Sequence, residues 1–414
     1  MLVALASSTP AEENSFYLKQ GDRVVFYGDS ITDQRLYTTF AETFVVTRFP
    51  FLKVSFVHSG WGGDRVTGGG GGPIDVRLER DVFAYEPTVM TVMLGMNDAS
   101  YKAFDSAVYS TYTNGYQHIV DSMKQHSPKT RLTLIQPSPF DDVTQPPKFE
   151  GGYNNVLVRY GAYVKALAAR EHLDVADLNT SVVSALEKAK ATDAEAAKKI
   201  IPDRVHPGPA GHLLMAAELL KAWNAPAAVT SVEINAADKS VRSHCCTTVS
   251  GLKADGSLSW SQLDKALPMP VDLGDEIMKL AVHSSDFIQA LNQQPLKITG
   301  LTANKYTLKI DGHPIGEFTR EELAGGINLA VLNTPMAQQA KEVHKLTVQH
   351  NNLHFERWRD IQVRLTKHTS GKISKATKAL LTAFDTEEAE LTQQQRAAAK
   401  PVPHHYTLDP IDIR

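Results

Sequence analysis

The sequence predicts a parallel α/β sheet followed by a β-rich region, on three observations. From about residue 22 to 224, apolar runs alternate with helical stretches, the pattern of βαβ units. Those runs are nearly continuous, clearest in Val89-Met90-Thr91-Val92-Met93-Leu94, as strands covered on both faces require. After Ala225-Pro226-Ala227-Ala228 the pattern changes to strict alternation, the mark of half-buried strands.

The strand candidates are, in order, Val24 to Tyr27, Val54 to His58, Thr88 to Leu94, Arg131 to Gln136 and Asp174 to Asp177. Helical stretches fall near 36–48, 74–85, 109–126, 153–172 and 209–223. Beyond them, Val232, Ile234 and Ala236 alternate with polar residues, as do Tyr306, Leu308 and Ile310, which run into Asp311-Gly312, a hairpin turn signal. Thr319 with Glu322 makes a capping box, and Thr334-Pro335 starts a further helix. Residues 371–399 read as an amphipathic helix, either a solvated face or a packing arm, and 401–414 as an extended tail. The chain divides into an N-terminal segment (1–21), an α/β domain (22–226), a β-rich domain with helices (227–370), and the helical arm with its tail (371–414).

At 414 residues the chain exceeds what one core usually serves, so two domains are the default. A net charge of −3 with interspersed signs offers no basic face for a phosphate backbone, which argues against nucleic acid as a partner. No apolar run reaches the roughly 18 residues of a membrane helix. The two cysteines, Cys245 and Cys246, are adjacent, with Cα atoms about 3.8 Å apart, so they read as free thiols or a strained vicinal pair. Met1 to Ala11 is short, apolar and then small, without a basic leader. It fits either a truncated signal peptide, implying an extracellular or periplasmic protein, or a loose terminus, which leaves the cytoplasm open.

The residues with chemistry fall beyond the carboxyl ends of the strands, where open α/β sheets bind ligands. Gly28-Asp29-Ser30 follows the first, Gly60 to Asp64 the second, and Gly95-Met96-Asn97-Asp98 the third. Far downstream stands Asp203-Arg204-Val205-His206-Pro207. A serine hydroxyl needs an imidazole to take its proton and an acid to orient that imidazole. The bland alternatives are that Asp29 and Ser30 cap a helix and that Asp203 and His206 are solvated loop residues.

Taken in order and spacing, Gly28-Asp29-Ser30, Gly63, Gly95-Met96-Asn97-Asp98 and Asp203-Arg204-Val205-His206 resemble the blocks of the SGNH hydrolases, also called GDSL esterases and lipases, over roughly residues 22–224. The resemblance implies a three-layer α/β/α sandwich of flavodoxin-like type. It makes Ser30 the nucleophile, His206 the general base and Asp203 its orienting carboxylate. The oxyanion donors would be the amides of Ser30 and Gly63 and the side chain of Asn97, with Gly62 an alternative to Gly63. Asp98 would shape the loop. No Gly-x-Ser-x-Gly surrounds Ser30, which separates the chain from the α/β-hydrolases.

Departures from the family pattern are also expectations. Where many relatives carry Asn, this chain has His58-Ser59-Gly60-Trp61, with His58 read as a structural histidine. Asp29, Trp61 and Gly62 are candidates for substrate contact; Trp61 could stack on a sugar or aryl group or serve packing. The run Gly68 to Gly72 lacks a Gly-Lys-Ser/Thr ending and reads as a mobile loop near the acyl pocket. His350 and His354 stand at helical spacing without a glutamate between them, so no metal and no cofactor is expected. The reading is a serine esterase for short acyl groups, among them O-acetyl groups on saccharides. The alternatives are a lipid acylhydrolase and an inactive carbohydrate-binding protein. A base that must be neutral predicts activity that declines as an imidazole protonates, ordinarily near about 6.5. The C-terminal domain could wall the active site, bind polymer or form an oligomer interface.

Overall fold

Five strands, β1 (Arg23–Gly28), β2 (Ser55–Gly60), β3 (Val89–Met93), β4 (Arg131–Ile135) and β5 (Asp174–Ala176), lie parallel in the order β2-β1-β3-β4-β5. This is the flavodoxin-like order, with its switch point between β1 and β3. The computed structural model describes residues 15–411 apart from 366, 368 and 369. The export-signal reading of the N terminus rests largely on residues 1–14, outside that range.

The apolar runs are buried because helices flank the sheet: every residue of β3 is enclosed, and β1, β2 and β4 expose only their first positions. Helix Leu36–Arg48 packs with Pro209–Ala222, and Ser106–His126 with Gly152–Glu171. Helix Ser106–His126 starts three residues earlier than its apolar pattern suggests. Asp105 caps it, its Oδ1 accepting from the amides of Ala107 (2.8 Å) and Val108 (3.0 Å). Helices Thr180–Thr192 and Glu276–His283 carried no sequence expectation.

The C-terminal half builds two further sheets. One is antiparallel, in the spatial order 247–255, 257–264, 404–410, 305–310, 313–319; the other joins 327–328, 295–299, 231–235 and 240–245. The Asp311-Gly312 turn takes positive φ at both residues (52° and 78°), as a hairpin of type I′ needs. The tail is not a loose extension: His404–Pro410 is the central strand of the antiparallel sheet, with Tyr406 stacked on Trp260 at 4.9 Å. Its alternation of buried His404, Tyr406 and Leu408 with more exposed neighbours is the signal for this, too short to stand out alone.

Two buried apolar clusters organise the chain, and they do not follow the expected boundary at 226/227. Met269, Met278, Ala281, Phe287 and Leu291 pack into the core of the parallel sheet. Leu258, Trp260, Leu308, Met336 and Leu408 belong to the second core. The C-terminal arm consists of helix Pro335–Phe355, a π-helical turn Glu356–Gln362, and helix Gly371–Ala398. It lies on helix Leu36–Arg48 and β2, where buried Glu42 accepts from His58 Nε2 (3.2 Å), Asn351 Nδ2 (3.1 Å) and Gln395 Nε2 (3.1 Å). Burial lowers the His58 pKa, leaving a neutral ring whose Nδ1 lies 2.7 Å from Thr38 Oγ1. His58 is thus a structural histidine. Among the described residues no helix is long and apolar enough to cross a membrane. Cys245 and Cys246 are free and exposed, their Sγ atoms 3.2 Å apart.

Candidate active site

Three turns leave the carboxyl ends of β2, β1 and β3 side by side. The turn after β1 is a short helix, Ser30–Asp33, started by Asp29, whose Oδ1 accepts from Ile31 N at 3.0 Å. This helix folds back over the strand ends, which explains the glycines there. A Cβ on Gly28 would sit 2.2 Å from Thr32 Oγ1, and one on Gly60 2.1 Å from Asp33 N.

Ser30 Oγ lies 2.8 Å from His206 Nε2, and His206 Nδ1 lies 2.7 Å from Asp203 Oδ2. Ser30 and His206 stand 176 positions apart in sequence, and Asp203 three before His206. Asp203 Oδ1 accepts from the amides of Val205 (2.9 Å) and His206 (2.7 Å). Partial burial pushes the Asp203 carboxyl up, but these amide bonds and the imidazole outweigh it and hold the pKa below the ordinary value. The loop is fixed by Arg204, at φ 72°, which reaches Gln145 Oε1 (3.1 Å) and Pro146 O (2.7 Å). The Asp203 and His206 side chains are 57% and 35% exposed, so water reaches the site.

Asn97 is buried on the third turn, donating from Nδ2 to Asp64 O at 3.0 Å. Gly63, at φ 77°, precedes Asp64 on the second turn. The Gly62 amide is committed to Asp33 Oδ2 at 3.1 Å, although a Cβ on Gly62 would come within 4.0 Å of Ser30 Cβ. Asp98 Oδ1 accepts from Val66 N at 3.0 Å, tying the third turn to the second.

Two of the expected substrate contacts are placed otherwise. Asp29 is 1% exposed and caps the Ser30 turn instead of facing solvent. One face of Trp61 carries the Arg359 guanidinium, 3.3 Å from the ring centroid, and the ring packs against the glycine run, so it is not open to a sugar. The glycine run itself is no mobile loop. Gly68–Gly69 pairs with Gly72–Pro73 as a tight hairpin, and a Cβ on Gly71 would meet Arg77 Cδ at 2.5 Å and Trp61 Cδ2 at 2.7 Å.

Beneath that hairpin, Arg77 is wholly buried between Asp64 (Nε to Oδ2, 2.7 Å) and Asp81, and donates to Ser59 O at 2.8 Å. Trp358 Nε1 from the arm donates to Asp81 Oδ1 at 2.7 Å. Burial pushes the Asp64 carboxyl up against the pull of Arg77.

Two residues near the site carried no sequence signal. Tyr101, at φ 60°, donates from Oη to Asn97 Oδ1 at 2.9 Å and fixes which end of that amide carries the N–H groups. His212 accepts from Tyr37 N at Nδ1 (3.2 Å) and so donates from Nε2 to Gln34 Oε1 (2.9 Å), linking the helix after His206 to the segment after Ser30. Burial lowers the His212 pKa to about 3, which keeps that tautomer neutral.

Burial also pushes Asp29 up to about 7 from an ordinary 3.8, with Asp98 and Asp64 adding in the same direction. The folded state therefore favours the protonated carboxyl, and this contribution to stability is complete below about pH 3.8 and lost as pH rises through 7. Asn at this position stays neutral. Denaturant unfolding of Asp29→Asn against the native chain is expected to show a stability difference that moves in the variant's favour as pH rises from 4 to 7, by up to about 1.4 kcal/mol per pH unit. A pH-independent difference would contradict the assignment.

Comparison with known proteins agrees with this geometry. The GDSL-like lipase/acylhydrolase family model matches residues 26–214, the stretch that holds all three turns and the His206 loop. Residues 26–214 are a GDSL-like, or SGNH, hydrolase domain. With that domain the chain is a carboxylic ester hydrolase. It is similar to the acetylxylan esterase of Geobacillus stearothermophilus, 24% identical over 228 residues, covering 49% of this chain and 93% of that enzyme. A gut microbial diltiazem-metabolizing enzyme of known structure is similar over both halves, at 28% identity and a TM-score of 0.80, covering 96% of this chain and 99% of that chain.

Proposed function

We propose that this protein is a serine esterase for short acyl groups, acetyl above all, with Ser30 as nucleophile, His206 as general base and Asp203 as the group that orients it. The observation that carries the reading is the unbroken relay of 2.8 Å from Ser30 to His206 and 2.7 Å from His206 to Asp203. A carboxylate only accepts, so Nδ1 of His206 is the donor to Asp203. In the neutral ring Nε2 is then free to accept the Ser30 proton.

Ser30 Oγ attacks the ester carbonyl as its proton passes to Nε2. The oxyanion meets the amides of Ser30 and Gly63 and the second N–H of Asn97. The imidazolium returns the proton to the leaving alcohol, and the acyl group remains on Ser30. Water, deprotonated by the same Nε2, then releases the acid and restores Ser30. Commitment of the Gly62 amide to Asp33 favours Gly63 as the donor. The short-acyl preference draws on the acetylxylan esterase relative. In this reading O-acetylated saccharides are the substrate class.

The test is hydrolysis of p-nitrophenyl esters from acetate to palmitate, beside acetylated xylooligosaccharides and diltiazem. Cleavage confined to the shortest chains is expected. A preference for long chains would select a lipid acylhydrolase instead. Tyr101→Phe keeps the ring among Tyr153 and Phe140 but leaves the Asn97 side-chain amide held through its bond to Asp64 O, without the donor at its oxygen. Its kcat is expected to fall about tenfold, short of the 100-fold or more typical of deleting an oxyanion donor outright, with KM little changed. An unchanged kcat would remove Tyr101 from the account.

A further inference from the structure

We propose that Arg359 is a positioning residue for ester hydrolysis: the C-terminal arm delivers its guanidinium to Asp33 and Trp61 and so fixes the turn that carries Gly62 and Gly63. This rests on the proposed role of Ser30.

Arg359 lies in the π-helical turn Glu356–Gln362, and such turns inside α-helices often mark functional positions. Its Nη2 meets Asp33 Oδ2 at 2.9 Å, and its Cζ sits 3.3 Å from the centroid of the Trp61 ring. The same Asp33 oxygen accepts from the Gly62 amide. One carboxylate therefore joins three parts of the molecule: the helical turn that begins with Ser30, the turn that holds Gly62 and Gly63, and the arm. Burial of Asp33 disfavours its charge, and Arg359 is the foremost opposing influence. Without that guanidinium the carboxylate has reason to turn to water or take a proton, and the Gly62 amide loses the charged acceptor that holds it.

Docking of the arm does not depend on this contact. Trp358 on Asp81, Asn351 and Gln395 on Glu42, and Asn352 Oδ1 accepting from Arg35 at 3.3 Å already anchor it. Arg359 stands apart from these anchors in reaching a residue on the same turn as Ser30. Loss of its side chain is therefore expected to displace the Gly62–Gly63 turn and leave the arm in place.

The test compares Arg359→Ala, Arg359→Gln, Arg359→Lys, Asp33→Asn and the Arg359→Ala/Asp33→Asn double variant with the native full-length chain on p-nitrophenyl acetate, with thermal unfolding of each and Ser30→Ala run beside them. The expected result is a kcat lowered about 10- to 100-fold in Arg359→Ala and Arg359→Gln, as small misplacements of a site can cause, with KM and the unfolding midpoint nearly native. Arg359→Lys regains part of the loss, and the double variant is no slower than the slower single one. A native kcat in folded Arg359→Ala or Arg359→Gln overturns the proposal. So does a loss that tracks a fallen midpoint and that lysine does not relieve, since that marks a packing role alone. Should Arg359→Ala not fold, Arg359→Gln, which keeps a stem over Trp61, decides on the same terms. If Ser30→Ala retains native activity, the Ser30 reading fails; if activity needs Ser30 but ignores Arg359, only this inference fails.

Discussion

Ser30→Ala is expected to lower kcat for short esters about 10⁴-fold or more, since among the described residues Ser30 supplies the hydroxyl at His206 Nε2 that would form the acyl-enzyme. His206→Ala should bring a loss of the same order, because an unactivated serine is nearly as idle as none. The double variant is expected to be no slower than either single one, since the two side chains act as a unit. Steady-state kinetics on p-nitrophenyl acetate check all three. Independent, multiplying losses would mean that Ser30 and His206 serve separate steps. The fold should hardly register the change at Ser30, as the imidazole keeps its bond to Asp203 and the Ser30 turn keeps its Asp29 cap.

The second large effect is on stability. Arg77 stands wholly buried between two wholly buried carboxylates, Asp64 and Asp81. Removing one member of such a network strands uncompensated charge and costs about 3–5 kcal/mol, whereas replacing the whole set by neutral groups of similar volume is often far milder. Arg77→Met is therefore expected to lose about that much in denaturant unfolding, and the Arg77→Met/Asp64→Asn/Asp81→Asn variant distinctly less. Asp81 keeps Arg80 at 2.6 Å, so Asp64 is the carboxylate that Arg77→Met strands; a stranded carboxylate has a raised pKa, and the deficit should shrink as the solution is acidified and Asp64 can take a proton. A deficit below about 1 kcal/mol would mean that the site is wetter than its zero exposure indicates. Because Asp64 O also receives the Asn97 amide and Asp64 follows Gly63, the same network supports the proposed oxyanion donors from below.

Much of the candidate site's geometry was legible because its residues stand in short local blocks. Ser30, Gly63 and Asn97 sit on turns that follow apolar strands, and Asp203 and His206 on the loop that leads into helix Pro209–Ala222. The five-stranded sheet was legible for the same reason, since βαβ grammar is local and repeats. Apart from Tyr101, whose partner Asn97 is four residues away, the contacts that the sequence hid have partners far along the chain. His212 meets Gln34 across 178 positions, and Arg359 meets Asp33 across 326. Neither arginine nor histidine announces its partner from its own neighbourhood. Strand 404–410 reads as a tail in the sequence because its place between 257–264 and 305–310 is set by pairing rather than by its own pattern. Between stacking on a sugar or aryl group and packing, the sequence does not decide for Trp61, because the residue that covers it, Arg359, comes from the arm. The glycine run looked mobile because its constraint is the bulk of Arg77 and Trp61 beneath it.

The central claim is that Ser30 is the acylated residue, and the most direct test is a fluorophosphonate probe followed by intact mass and peptide mapping. A single adduct is expected on the peptide carrying Ser30, abolished in Ser30→Ala and in parallel with the loss of p-nitrophenyl acetate hydrolysis. An adduct on another residue, or ester hydrolysis that survives in Ser30→Ala, would contradict it.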